Sequence, residues 1–146
     1  MRLLFVCTGN TCRSPMAEAL AKRAAAELGI DNLLIGSAGI SALDRQLASQ
    51  GAQYAIKARG LSLEGHRARR LTFALAAEAD LIITMTAGQA RAVKHIAPEA
   101  KVFPLYEYLS ESGDVADPWG GSDAEYEECA RVLEARVLRV IERFRT

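Results

Sequence analysis

The octapeptide Cys7-Thr8-Gly9-Asn10-Thr11-Cys12-Arg13-Ser14 stands between an apolar run, Leu3-Leu4-Phe5-Val6, and an alanine-rich segment that opens Pro15-Met16-Ala17-Glu18-Ala19. That order reads as strand, loop, helix, and it constrains the chain more than any other stretch. A thiol at the end of a buried strand, an arginine six positions on and a helix N-terminus all face one small concavity. Loop N–H groups and the positive end of the helix dipole favour an oxyanion there. Arg13 can grip two of its oxygens in a planar fork. The occupant that fits is a phosphoryl group, and the same field favours thiolate at Cys7.

The remainder alternates apolar runs with helical periodicity. Arg2 to Val6 is apolar on both faces, as a central parallel strand requires. Ser14 as N-cap and Pro15 at the first helical position start a helix that Gly29 stops. Leu33-Leu34-Ile35 reads as a second strand, ending in Ser37-Ala38-Gly39, and a helix is expected from about Asp44 to Arg59. Leu61 to Arg70, with His66, Arg67, Arg69 and Arg70, reads as a polar surface connection. A short helix over Thr72–Ala79, a strand over Leu81–Met85, a helix over Ala87–Ile96 and a short strand at Val102-Phe103 follow. Pro104 to Gly121 is the longest stretch without a period. Ser122 and Glu125 have capping-box spacing, and Tyr126, Cys129, Leu133, Val137, Val140, Ile141 and Phe144 share one face of the last helix.

Strands joined by crossovers too long for hairpins imply an α/β fold, a parallel sheet with helices on both sides, whose ligands sit beyond the carboxyl ends of the strands. Cys7, Gly39, Met85 and the long aperiodic loop are expected to gather there. A chain of 146 residues, 50 % hydrophobic and 25 % charged, fits one domain, residues 1–146. Eighteen basic residues balance eighteen acidic ones, so no general attraction to nucleic acid or to an acidic membrane is expected. No apolar run approaches membrane-spanning length, and the opening residues run straight into a strand. A cytoplasmic location is expected, which also suits three cysteines that form no extracellular disulfide framework.

Cys7 is the candidate nucleophile. Attack on phosphorus needs the non-bridging oxygens neutralised and held in line, the role assigned to the loop N–H groups and Arg13. Gly9 lets the backbone curl, Asn10 braces it, and Ser14 can donate to the thiolate and assist its departure. A leaving group needs a proton, and Asp117, in the aperiodic loop before Pro118 and Trp119, is the candidate acid. Trp119 is expected to wall the pocket, and burial of Asp117 against it would favour the acid form. Cys12 is either a helix-facing loop residue or the partner that traps oxidised Cys7 as a disulfide. Cys129 belongs to the core. His66 and His95, with no cysteine or carboxylate at metal spacing, read as surface or capping residues, and no metal is assigned.

The run Cys7 to Pro15 resembles the signature of the low-molecular-weight protein tyrosine phosphatases, and Asp117-Pro118-Trp119 resembles their general-acid motif. Ser37-Ala38-Gly39, His66 with Arg69 and Leu71, and Asp80 to Thr86 also have family counterparts. The resemblance implies a four-stranded parallel sheet and a phosphocysteine on Cys7. Thr8, Gly9, Asn10, Thr11, Cys12, Ser14 and Trp119 would line the phosphate and substrate site, and Arg13 would bind the phosphoryl group. Asp117 would protonate the leaving group and then activate water. No cofactor is implied, and the partners are phosphorylated proteins; a monomer is expected.

Departures from the family pattern bear on the substrate. Tyrosine-directed members commonly carry isoleucine where this chain has Thr11, an aromatic near Leu43, and a further tyrosine at Gly120. Thr11 and the run Asp117 to Ser122 instead resemble the bacterial protein-arginine phosphatase branch, where threonine at this position goes with phosphoarginine selectivity. Phosphotyrosine is the alternative substrate. Arsenate reductases share the loop but need further cysteines downstream, and Asp80 to Arg91 holds none. A non-catalytic phosphoprotein-binding module would not need Cys7, Arg13 and Asp117 together. A phosphocysteine carrier would not need Asp117.

Overall fold

Alternate side chains of a strand point to opposite faces of its sheet. In β1 (Arg2–Cys7) both sets are apolar: Leu3, Phe5 and Cys7 enter one core, Leu4 and Val6 a second. The computed structural model describes residues 1–145. β1 pairs on one side with β2 (Leu34–Gly39) and on the other with β3 (Leu81–Thr84), which pairs with β4 (Val102–Pro104). All pairs are parallel, in the order β2-β1-β3-β4. The four-stranded α/β sheet expected from the sequence is formed.

Helices α1 (Arg13–Glu27), α2 (Gln50–Lys57) and α6 (Asp123–Glu142) cover the first face, and α3 (Phe73–Glu78) and α4 (Ala87–Ile96) the second. The short α5 (Leu105–Tyr108) follows β4. From β1 the chain crosses to β2 on one side and then to β3 on the other. That reversal opens a crevice at the carboxyl end of β1, where Cys7 lies in register with Gly39. Val115 N–H donates to the Met85 carbonyl at 2.9 Å, which brings the aperiodic loop to the same edge.

The capping box of α6 is present, Ser122 and Glu125 each satisfying the other's backbone N–H. Its apolar face is buried over Tyr126, Cys129, Leu133, Val137, Val140 and Ile141, with Phe144 partly buried beyond the helix. Cys129 is therefore a core residue, and burial pushes its thiol up to about 12. Among the described residues no helix is long and apolar enough to cross a membrane.

Three local expectations are corrected. Ser14 is not the N-cap: Cys12 holds that position and makes no side-chain cap bond. The Ser14 hydroxyl is directed instead at Cys7, so a strong helix-start residue serves the loop. The helix expected from Asp44 begins only at Gln50, capped by Ser49. Residues before it stay non-helical to pair with the 66–70 segment: Arg45 N–H donates to Ala68 O at 2.7 Å and Ala68 N–H to Gln46 O at 2.8 Å. Arg45 takes φ +73° to make that path. β2 runs from Leu34 through Ser37-Ala38-Gly39, as expected, while Pro104 to Gly121 is not wholly without a period, since it contains the one-turn α5.

Candidate active site

The sulfur of Cys7 sits over the start of α1 and is approached by two hydrogens. Asn10 N–H reaches it at 3.3 Å and the Ser14 hydroxyl at 2.9 Å. Ser14 Oγ already accepts from Asn10 Nδ2 at 2.8 Å, so its own proton is free to point at sulfur. Cys7 is thus placed as an acceptor, the role a thiolate fills. Among the described residues the N–H groups of Gly9, Thr11 and Cys12 have no partner in the chain, which leaves them as donors to an anion in the loop.

Asn10 holds this geometry. It adopts φ +56°, a left-handed conformation that asparagine tolerates better than other side-chain-bearing residues. It is 0 % exposed with every polar group bonded. Nδ2 donates to Ser14 Oγ and, at 3.0 Å, to Ser37 Oγ; Oδ1 accepts from Arg69 N–H at 3.0 Å. Ser37 Oγ in turn donates to Glu18 at 2.6 Å. His66 Nε2 donates to the Asn10 carbonyl at 2.8 Å, which fixes the protonated ring nitrogen. Gly39 completes the floor, because a Cβ there would lie 2.6 Å from Thr8 O and 2.9 Å from Asn10 N.

These contacts predict that Asn10→Ala destabilises the fold by roughly 2–4 kcal/mol, since it strands buried partners and leaves a methyl side chain at positive φ. Urea unfolding measures it; a change within error of zero would show that the network is not structural.

Arg13 is buried, with Nη1 donating to the Val115 carbonyl at 2.9 Å and Nη2 3.4 Å from Asp117 Oδ2. Its Nε is buried without a partner among the described residues. A buried, unspent N–H on a guanidinium beside Cys7 is a donor for a phosphoryl oxygen. Asp117 is not buried against Trp119, as the sequence reading expects: its side chain is 51 % exposed, Trp119 is 73 % exposed, and Asp117 faces Arg13. The loop is held by its backbone, with Asp117 Oδ1 accepting from Trp119 N–H at 3.1 Å.

Cys7, Thr8, Gly9, Thr11, Cys12, Arg13, Asp117 and Trp119 line one cleft of about 280 Å³, together with Gln46. Eight of the ten residues singled out in the sequence therefore share the cleft. Asn10 and Ser14 lie beneath it, behind the sulfur. A larger groove of about 620 Å³ between α4 and β4 is lined by no cysteine, serine or threonine and shares no residue with this cleft. Among the described residues no three histidines, cysteines or carboxylates are grouped as metal ligands.

Several contributors were given no role in the site by the sequence. His66 and Arg69 brace the loop rather than forming a surface connection, and the signal was the apolar Ala68 and Leu71 between and after the basic residues, both of which are buried. Gln89 donates to Thr8 Oγ1 at 3.0 Å while its Oε1 accepts from Met85 and Thr86 N–H. Cys12 Sγ lies 3.3 Å from Ser49 Oγ and 3.4 Å from Tyr126 Oη. Burial raises the Tyr126 phenol to about 12.

The family model for low molecular weight phosphotyrosine protein phosphatase matches residues 2–146. A protein-arginine-phosphatase of Bacillus subtilis is 42 % identical over 137 residues, 92 % of this chain and 90 % of that protein. The low molecular weight protein-tyrosine-phosphatase PtpB of Staphylococcus aureus is 35 % identical over 141 residues, 96 % of both. Among solved structures, YwlE arginine phosphatase, as a C7S mutant with a phosphorylated active site serine, superposes with a TM-score of 0.94 at 37 % identity, covering 98 % of this chain and 95 % of that one.

Proposed function

The chain belongs to the low molecular weight phosphotyrosine protein phosphatase family, and on that footing we propose that it hydrolyses phosphoarginine in proteins through a phosphocysteine on Cys7. It is a cysteine-dependent protein phosphatase. The observation that carries the choice of substrate is the rim above the sulfur. Thr11, Gln46 and Asp117 line the cleft with one aromatic, Trp119, while Leu43, 70 % exposed, does not line it. A phenyl ring needs apolar walls on both sides, whereas a planar, hydrogen-bonding guanidinium is matched by hydroxyl, amide and carboxylate. The relatives named as arginine phosphatases support the same reading.

The roles follow from position. Cys7 thiolate attacks phosphorus as the P–N bond breaks, with the equatorial oxygens bound by loop N–H groups and Arg13. Asp117 gives its proton to the departing guanidine nitrogen, and the product arginine leaves as a cation facing the new carboxylate. That carboxylate then takes a proton from water, which attacks phosphorus and breaks the S–P bond. Phosphate departs, and the Ser14 hydroxyl receives the returning thiolate in a hydrogen bond.

The test is kcat/KM of the wild-type protein on matched phosphoarginine and phosphotyrosine peptides. The proposal requires preference for phosphoarginine; preference for phosphotyrosine would make it a tyrosine phosphatase. No observation favours the arsenate reductase, carrier or binding-module readings.

Cys12 is proposed as the partner that protects oxidised Cys7 in a reducing cytoplasm. Peroxide should inactivate the enzyme reversibly, with a Cys7–Cys12 disulfide found by mass spectrometry. Only sulfinic or sulfonic acid at Cys7 would overturn this. Cys129, held protonated by burial, should remain unmodified.

A further inference from the structure

Behind the loop that carries Asp117 lies a second groove, of about 440 Å³, between that loop, α5 and α6. Its walls are apolar, from Tyr106, Ala116, Pro118 and Val132, and its remaining charged groups are all carboxylates: Asp114, Asp117, Glu125 and Glu128. No lysine, arginine or histidine lines it. Asp117 borders both this groove and the catalytic cleft, so the two are separated by the thickness of one loop.

We propose that this groove is a docking subsite for a lysine or arginine side chain of the substrate polypeptide, one to three residues from the phosphorylated residue. The inference rests on the protein-phosphatase reading of the neighbouring cleft. Three features point to that occupant. The first is charge: the carboxylates are single-signed, and two of them keep an oxygen unspent. Glu128 is held through both oxygens by Arg131 on the outside of α6 and Asp117 faces Arg13, but Glu125 accepts from Ser122 N–H only through Oε1, at 3.3 Å, and Asp114 caps Ala87 N–H only through Oδ1, at 2.9 Å. The second is the apolar lining, which suits the methylene stem of a long basic side chain while its head reaches the carboxylates. The third is continuity. An extended chain advances about 3.3–3.6 Å per residue, so a residue anchored over Cys7 places its near neighbours within reach across Asp117.

The seat would also steady the chemistry. The wall of the groove is the backbone of 115–118, which supplies the Val115 carbonyl to Arg13 and positions Asp117. A side chain docked there braces that segment from behind.

The test uses phosphoarginine and phosphotyrosine peptides with lysine, alanine or glutamate at the flanking positions, assayed with wild type and Glu128→Lys. Glu128 takes no part in the catalytic cleft and is exposed. Wild type is expected to favour lysine-flanked over alanine-flanked peptides by about fivefold in kcat/KM. Glu128→Lys should reduce that preference to less than about twofold while leaving alanine-flanked peptides unchanged. Equal rates for all flanks in wild type, or a preference that survives Glu128→Lys, would overturn the proposal. So would butylammonium altering the rate on alanine-flanked peptide as strongly as a lysine flank does, since the groove would then be a small-molecule effector site. Running both phosphoresidues separates the two readings: a wrong choice of phosphoresidue leaves the flank effect readable on the one that is turned over.

Discussion

Cys7→Ser is expected to fold as wild type and to lose turnover by at least about 10⁴-fold. The two halves of that result have separate causes. Cys7 is buried, but a serine hydroxyl there would find the same two hydrogen-bond partners, Asn10 N–H and Ser14 Oγ, so no buried group is stranded. What is lost is the nucleophile, because a serine hydroxyl is a far weaker nucleophile than sulfur without a base beside it. No side chain in the cleft is a histidine placed to remove that proton; His66 is committed to the Asn10 carbonyl. Steady-state kinetics beside a urea unfolding curve measures both halves. Residual activity within tenfold of wild type would show that sulfur is not the attacking atom.

Asp117→Asn has the next largest effect, a fall in kcat of about 10²–10³-fold on phosphoarginine peptide. Asparagine keeps the shape and the Trp119 N–H contact but can neither give a proton to the departing nitrogen nor take one from water. Arg13 should keep its place, since its bond to the Val115 carbonyl is independent of the carboxylate. KM should therefore change less than kcat. A substrate with a good leaving group, p-nitrophenyl phosphate, separates the two uses of Asp117. Its first step needs little acid, so the variant should release a burst of nitrophenol and accumulate phosphoenzyme while the second step stays slow. Rapid-mixing kinetics reads the burst; a loss confined to KM would mean that Asp117 only binds.

Much of this site was legible because its chemistry is local in sequence. Cys7, the loop formers and Arg13 occupy seven consecutive positions, and strand and helix on either side carry their own periodic signals. The acid was legible for a different reason, as a carboxylate in the one long aperiodic loop. What escaped were contributions that tertiary pairing creates. Gln46 reaches the cleft only because residues 44–49 stay non-helical and pair with 66–70, overriding a helix-like pattern. The Val115 carbonyl that orients Arg13 is a backbone atom, to which residue identity gives no clue. Ser14 misled because serine before proline is a helix cap by propensity, while here the loop uses its hydroxyl. Asp117 misled in its surroundings: an aromatic two residues away suggested burial, but the chain turns so that the carboxylate meets Arg13 instead.

Substrate choice turns on Thr11, which lines the cleft one position before the loop's second cysteine and carries a hydroxyl rather than a large aliphatic side chain. The most direct measurement is the ratio of kcat/KM on phosphoarginine peptide to that on phosphotyrosine peptide, for wild type and Thr11→Ile side by side. The ratio is expected to exceed one in wild type and to fall about 10- to 100-fold in Thr11→Ile, with Cys7 still forming the phosphoenzyme. A wild-type ratio below one, or a ratio that Thr11→Ile leaves unchanged, would contradict it.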